Sequence, residues 1–460
     1  MKTLTVTKNM IVLFMASIFV LSCSDDDEIQ PFVPTNNIVE IAQSVPQLSD
    51  LVSALTNYPD LVSTLSGDGN FTVFAPTNEA FDNLLEAIGQ DDIDDVPEAV
   101  LRNILEFHVN SSFISSGQIS PGTITMVNGE DATITADDTG VFIEGAQIVV
   151  VDAQATNGIV HLISDVMVPP SIAPVVGTIV APAFFNNQFT TLIAAVQNAD
   201  TDVLSVLLGN GPSDEGLTLF APTNAAFEAA GVTDVNGADA VLTYHVIDGI
   251  VRAADLPTTS GAAVAVTTLG GDVYLSNTGN GVNLNGSTTV TATDIEGSNG
   301  VVHVIDRVLL PPTQTINEIV GDFVNSDPAE FTLLAAALER AGLGDTFSAD
   351  GPFTVFAPTD VAFLDAGLTE EAINETDPET VAGILTHHVV EASAYVFSSD
   401  LMSGDVTMLN TQNVGIDVGN LTVQDAANST PPANLIPTLL NVHATNGVVH
   451  VIDKVLLPAQ

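Results

Sequence analysis

Basic side chains are almost missing from this chain. Seven Lys and Arg stand against 57 Asp and Glu in 460 residues, for a formal net charge of −50. Two of the seven, Lys2 and Lys8, lie within the first ten residues; the others are Arg102, Arg252, Arg307, Arg340 and Lys454. A surface so poor in cations cannot neutralise a phosphate backbone, which excludes a nucleic-acid partner. The acidity reads either as adaptation to a saline medium or as carboxylates that a divalent cation, calcium foremost, bridges to something else. Cysteine is reduced to Cys23, so no disulfide forms within the chain. Long apolar runs are missing too. Residues 10–21 are apolar but fall short of the ~20 residues a membrane-spanning helix needs. Later stretches such as Val301-Val302-His303-Val304-Ile305 have only the length of a strand.

The N-terminus instead carries an address. Residues 1–22 read as a secretory signal, with Lys2 and Lys8 ahead of the apolar segment. Val20-Leu21-Ser22-Cys23 resembles a bacterial lipobox, with Val20 where leucine is commoner. The resemblance implies that Cys23 is acylated and becomes the mature N-terminus, held to the membrane by its lipid anchor. Ser24-Asp25-Asp26-Asp27-Glu28 follows, so residues 23–35 form an acidic tether. In lipoproteins of the Bacteroidetes such residues imply display on the outer face of the outer membrane. On composition alone they are a solvated spacer.

Beyond residue 35 the chain repeats itself. Phe71-Thr72-Val73-Phe74-Ala75-Pro76-Thr77-Asn78 returns as Leu217-Thr218-Leu219-Phe220-Ala221-Pro222-Thr223-Asn224 and as Phe353-Thr354-Val355-Phe356-Ala357-Pro358-Thr359-Asp360. A second phrase keeps step: Asn157-Gly158-Ile159-Val160-His161, Asn299-Gly300-Val301-Val302-His303 and Asn446-Gly447-Val448-Val449-His450. A period of roughly 140 residues is the size of an autonomous domain, not of a solenoid unit. Three domains follow, over residues 36–170, 171–312 and 313–460, with Pro169-Pro170 and Pro311-Pro312 as boundaries.

Each domain reads helices first, strands later. Phe331, Leu334, Ala335 and Leu338 fall on one helical face, as do Leu48, Leu51, Val52 and Leu55, and Phe189, Leu192, Ile193 and Val196. The first repeated phrase is a short buried strand, and its Thr or Asn/Asp is suited to cap the next helix. A second helix ends at His108, His245 and His388. β runs follow, including a hairpin about Gly270-Gly271. This order is that of an α+β fold.

The two phrases, with Phe107-His108, Tyr244-His245 and His387-His388 between them, resemble the fasciclin domain over roughly residues 36–458. The resemblance implies three tandem domains, each a helix cluster packed with a β-sandwich or wedge. It also implies a role in cell adhesion or extracellular-matrix contact, with an extracellular protein or polysaccharide as ligand. Its motif residues here are Thr77, His108, His161, Thr223, His245, His303, Thr359, His388 and His450, read as structural. An Asp-Ile pair before the second phrase is linked to recognition in animal members, and Asp294-Ile295 matches it. The third domain departs from the others by an added loop between Leu421 and Asn441.

Chemistry has little footing in the residues. A histidine flanked by Val and Ile in a strand suits a core, and no Cys or Glu joins these histidines at metal-ligand spacing. His387 and His443 lack counterparts and are expected to be exposed. No nucleophile elbow, phosphate loop or His-Glu-x-x-His motif occurs. Gln90-Asp91-Asp92-Ile93-Asp94-Asp95 lacks the alternation and central Gly of a calcium loop and reads as a solvated turn, calcium being its functional alternative. The expectation is a non-enzymatic, lipid-anchored surface protein, or a scaffold for neighbouring surface proteins and exopolysaccharide.

Overall fold

The computed structural model describes residues 33–459 apart from 200–202, 233–234, 236, 256–262, 278–280 and 392–394. The signal segment, Cys23 and residues 24–32 lie outside the described residues.

In the first domain the helices Ile38–Ser44, Ser49–Thr56 and Pro59–Ser66 precede the strand Phe71–Pro76. The helices Asn78–Ile88 and Glu98–Phe107 then lead to the strands Val109–Asn110, Gly122–Thr125, Asp131–Asp137, Gly140–Ile143, Ala146–Ala155 and Gly158–Ile163. The apolar stripes of the sequence face the sheet: Leu51 and Leu55 are buried, as are Phe81, Leu84 and Ile88. Capping is divided in a way the sequence left open. Thr77, Thr223 and Thr359 accept from the backbone N–H of Ala80, Ala226 and Ala362 and so cap the helix that follows. The next residue caps a different helix: Asp360 accepts from the N–H groups of Thr332 and Leu333, at the start of the helix Thr332–Ala341.

The repeated phrases are neighbours in space. Phe71–Pro76 and Gly158–Ile163 pair in parallel, with Phe71 opposite Gly158 and Phe74 opposite His161. Leu217–Pro222 with Gly300–Ile305, and Phe353–Pro358 with Gly447–Ile452, repeat the register. The remaining strands are antiparallel, and in each of the first two domains they complete a seven-stranded sheet. The sheet bends where the strand Ala146–Ala155 shifts register between Ile148 and Ala153, and its counterpart does so between Val290 and Ile295. The bent sheet closes on a second core around Phe74, Phe107, Ile134 and Ile163, while the helices cover the first. This is the α+β arrangement read from the sequence.

The added segment of the third domain is not a free loop. It supplies the strands Thr422–Gln424 and Ala433–Asn434 and the turn Pro437–Leu439, and Leu435 bridges to Ile452.

The domains are also joined to one another. One apolar cluster runs from Ile88 and Val96 of the first domain to Ile179 and Phe185 of the second. At its rim Gln90 donates to the Pro182 carbonyl at 3.2 Å, and the Ser171 hydroxyl donates to Glu130 at 2.8 Å. The second and third domains meet through aromatic rings. Tyr274 lies 4.3 Å from Tyr395 and 5.5 Å from Phe397, centroid to centroid, with His443 edge-on at 5.7 Å. Asn441 donates to the Gly286 carbonyl at 3.0 Å. Gly286 has φ +73°, and a Cβ there would stand 2.4 Å from the Cβ of Phe397. Gly286→Ala therefore parts the joint, at a cost of about 1–3 kcal/mol, while the cores on either side of it are kept. Small-angle scattering will register a larger radius of gyration, and protease will cut more readily in the 311–315 connection.

Candidate functional site

The six motif histidines form two sets, each built three times. The first set ends a helix. Nδ1 of His108, His245 and His388 lies 2.7, 2.6 and 2.9 Å from the carbonyl four residues earlier, at Ile104, Val241 and Ile384. Nε2 meets the backbone N–H of Met167, Leu309 and Leu456 at 2.9, 2.9 and 2.8 Å. A carbonyl can only accept and an N–H can only donate, so each ring is the neutral Nδ1–H tautomer. Burial agrees: loss of hydration holds all three pKa values down at about 4.

The second set sits mid-strand with the opposite tautomer. Nε2 of His161, His303 and His450 donates to the carbonyls of Ile114, Val251 and Val396 at 2.8, 2.8 and 2.9 Å. Nδ1 accepts from the backbone N–H of Asp152, Asp294 and Asn441. Each ring packs beside the Phe opposite it, Phe74, Phe220 or Phe356, at 5.6 to 5.8 Å. None of the six is more than 3% exposed. Both nitrogens of every ring are engaged with backbone, so the rings tie the last strand to helix and loop and present no nitrogen to a substrate or a metal.

Asp294 belongs to this frame. Its φ of +57° makes it the left-handed residue of the sheet bend, as are Asp152 at +62° and Asn441 at +57°. Asp and Asn tolerate that region best after Gly. The Asp294 carboxylate accepts from the Ala253 N–H at 2.9 Å, and Ile295 pairs with Val302 and packs on the core. The position recurs nine residues before the second-set histidine in every domain, a spacing that was available in the sequence.

Sequence reasoning missed a third set, the asparagine of the Asn-Gly phrase. Asn157, Asn299 and Asn446 are 5–6% exposed. Each side-chain carbonyl accepts from the backbone at the domain's entry, at Ile38, Ile179 and Ile316. Each amide donates to two carbonyls, one buried and one at the surface: Leu65 and Gly67, Leu207 and Gly209, or Phe347 and Ala349. The glycine that follows lies against its parallel neighbour. A Cβ on Gly300 would fall 2.0 Å from the Leu217 carbonyl oxygen. The phrase reads as a turn signal in sequence, and only its triple recurrence hinted at more.

Two expectations are corrected. His387 is fully buried: Nδ1 is 3.1 Å from the Asn410 side-chain oxygen, and Ala426 of the added segment closes over Nε2. His443 is largely buried in the joint between the second and third domains, where its Nδ1 has no partner and desolvation lowers its pKa to about 4. The acidic run 90–95 forms the turn Ile93–Asp95 beside the first joint. Among the described residues, no group of three or more His, Cys, Asp or Glu is arranged to hold a metal ion. No described helix is long and apolar enough to cross a membrane. On the outside, Val149, Val150 and Val151 are 43–50% exposed in the first domain, where the second has Thr291-Ala292-Thr293.

Comparison with known proteins agrees with the repeat. The family model described as the fasciclin domain matches residues 46–169, 187–311 and 329–458, well over half of the chain. Transforming growth factor-beta-induced protein ig-h3 of Sus scrofa is 28% identical over 433 residues, covering 92% of this chain and 58% of that protein. Human periostin is 29% identical over 354 residues, covering 74% of this chain and 39% of its own length. Cell surface glycolipoprotein MPB83 of Mycobacterium bovis is 37% identical over 140 residues, 29% of this chain and 61% of that one. The chain thus spans little more than half the length of ig-h3 and less of periostin.

Proposed function

Because the chain belongs to the fasciclin family through three matched domains, we propose that it is a lipid-anchored surface protein that mediates cell adhesion or matrix contact by multivalent binding. Fasciclin-domain proteins are related to cell adhesion and the extracellular matrix, and MPB83 is by name a cell surface glycolipoprotein. One observation carries the reading: the motif residues that recur three times are spent on internal backbone bonds, which leaves recognition to the outer faces. Three weak sites on one tether gain avidity through effective concentration, without any one being tight. Cys23 is the anchor point in this reading, and residues 24–35 set the domains off the membrane. The ligand is an extracellular protein or polysaccharide, with calcium as the candidate bridging ion for a chain of net charge −50.

The test is binding of soluble residues 24–460 to the producing organism's cells and to its extracted polysaccharide, with calcium and with chelator. Saturable binding is expected, weaker for single domains than for the three together. Loss of binding in chelator assigns the acidic surface a bridging role. Absence of binding in both conditions overturns direct adhesion and leaves self-association of the chain, a scaffold role, as the behaviour to measure.

A further inference from the structure

Cations are so scarce that each can be followed. Arg102 pairs with Asp60 and Glu106, and Arg252 with Glu296. Arg340 donates to the Thr376 carbonyl and Lys454 to the Pro431 carbonyl. Arg307 is the one Lys or Arg among the described residues with no ion pair or hydrogen bond to the rest of the chain. It is exposed on the wall of a cavity of about 420 Å³ between the second and third domains. His443, on the opposite domain, lines the same cavity, its Nδ1 buried beneath the surface without a partner. The ring is neutral above its lowered pKa and so offers one N–H and one lone pair. Ser287 and Gln314 add a hydroxyl and an amide, and Leu310 and Pro311 form an apolar ledge.

Among the described residues this combination occurs once. Four residues after the second-set histidine the first domain has Asp165 and the third has Lys454, which is occupied. Two residues after the bend residue the second domain has Glu296, tied to Arg252, where the third has His443. The cavity lies within the size range of small-ligand sites. A single free guanidinium suits a single planar carboxylate, which it can take through two parallel hydrogen bonds. The surrounding charge of the chain disfavours phosphates and other multiply charged groups. Hydroxyl, amide and imidazole partners around one cation, with an apolar ledge beside them, match a sugar ring.

We propose that this cleft binds a saccharide unit bearing one carboxylate, a uronate, with Arg307 on the carboxylate and the His443 imidazole against the sugar ring. The proposal rests on the adhesion reading for its context and names a ligand class and a place for it. Titration calorimetry on residues 24–460 tests it, with digalacturonate as probe and its dimethyl ester as the neutral control. Saturable binding of the acid is expected, with at least about tenfold weaker binding of the ester and of Arg307→Gln, and an intermediate loss for Arg307→Lys. Arg307 is exposed and makes no bond, so both variants keep the fold, which unchanged hydrogen exchange confirms.

Equal binding by wild type and Arg307→Gln, equal binding of acid and ester, or binding of a C-terminal peptide carboxylate in place of the uronate overturns the proposal. The two readings fail separately. If Arg307→Gln holds cells and polysaccharide as wild type does, this site falls while adhesion stands. If wild type takes digalacturonate but no cells, adhesion falls while the site stands.

Discussion

On acidification from pH 6.5 to about 4, the third domain unfolds before the other two. It contains three imidazoles, His388, His443 and His450, whose pKa values burial has lowered to about 4. The first and second domains each have one such value, at His108 and His245, and burial also lowers His161 in the first. A histidine with a depressed folded pKa favours the folded state while neutral. Its contribution is fully present above the unfolded value near 6.5 and is lost as pH falls towards the folded value. Each gap corresponds to roughly 3 kcal/mol, so the two within the third domain, with His443 loosening its joint, rival the 5–15 kcal/mol that holds a typical domain.

Other groups of the third domain act beside them. Burial raises Asp425, but bonds from Ser429 and the Leu457 N–H outweigh it and hold the carboxyl below its usual range, which adds to acid loss. Asp400 works the other way. Burial raises its pKa to about 6, so its contribution is present at low pH and is lost as pH rises through 6. One such group offsets part of the change from three histidines. Hydrogen exchange resolved by domain checks the order. Simultaneous opening of all three domains at one pH would sink the prediction.

Asn299→Ala will cost roughly 2–6 kcal/mol and open the second domain at neutral pH. The substitution leaves two buried backbone groups without partners, the Ile179 N–H and the Leu207 carbonyl, and returns the Gly209 carbonyl to water. Each such group costs about 1–3 kcal/mol, far more than the net worth of a hydrogen bond on the surface. Asn299→Asp distinguishes this account from simple capping. A carboxylate still accepts from Ile179 but cannot donate to the two carbonyls, and its charge repels them, so Asp will be no better than Ala. The damage will spread unevenly. The apolar cluster is continuous from the second domain into the first, whereas the third has its own. Exchange protection should fall in the first two domains and hold in the third. Protection lost equally in all three, or in none, contradicts this map.

Much of this was legible in the sequence because it is local or periodic. The repeat gave three domains, since identical phrases at domain spacing have no other simple source. The stripes of Leu51 and Leu55, or of Phe81, Leu84 and Ile88, gave the helices, because burial of one face imposes a 3.6-residue period. Gly270-Gly271 gave a hairpin. The strand histidines His161, His303 and His450, set among Val and Leu, lie in the core.

What tertiary structure decided were the pairings at long range. Phe71 lies opposite Gly158 in a parallel pair, which no local pattern encodes. Asn299 reaches Leu207 across 92 positions of chain, and its type also suits a turn, so the turn explanation concealed the core one. His387 was expected outside because nothing nearby in sequence covers it, yet Ala426 does so from 39 residues away. The joints were out of reach for the same reason. Tyr274 and Tyr395, or Arg307 and His443, become neighbours only when two finished domains pack. A composition counts cations and a pattern finds faces, but which cation is left unpaired depends on where every other chain segment comes to rest.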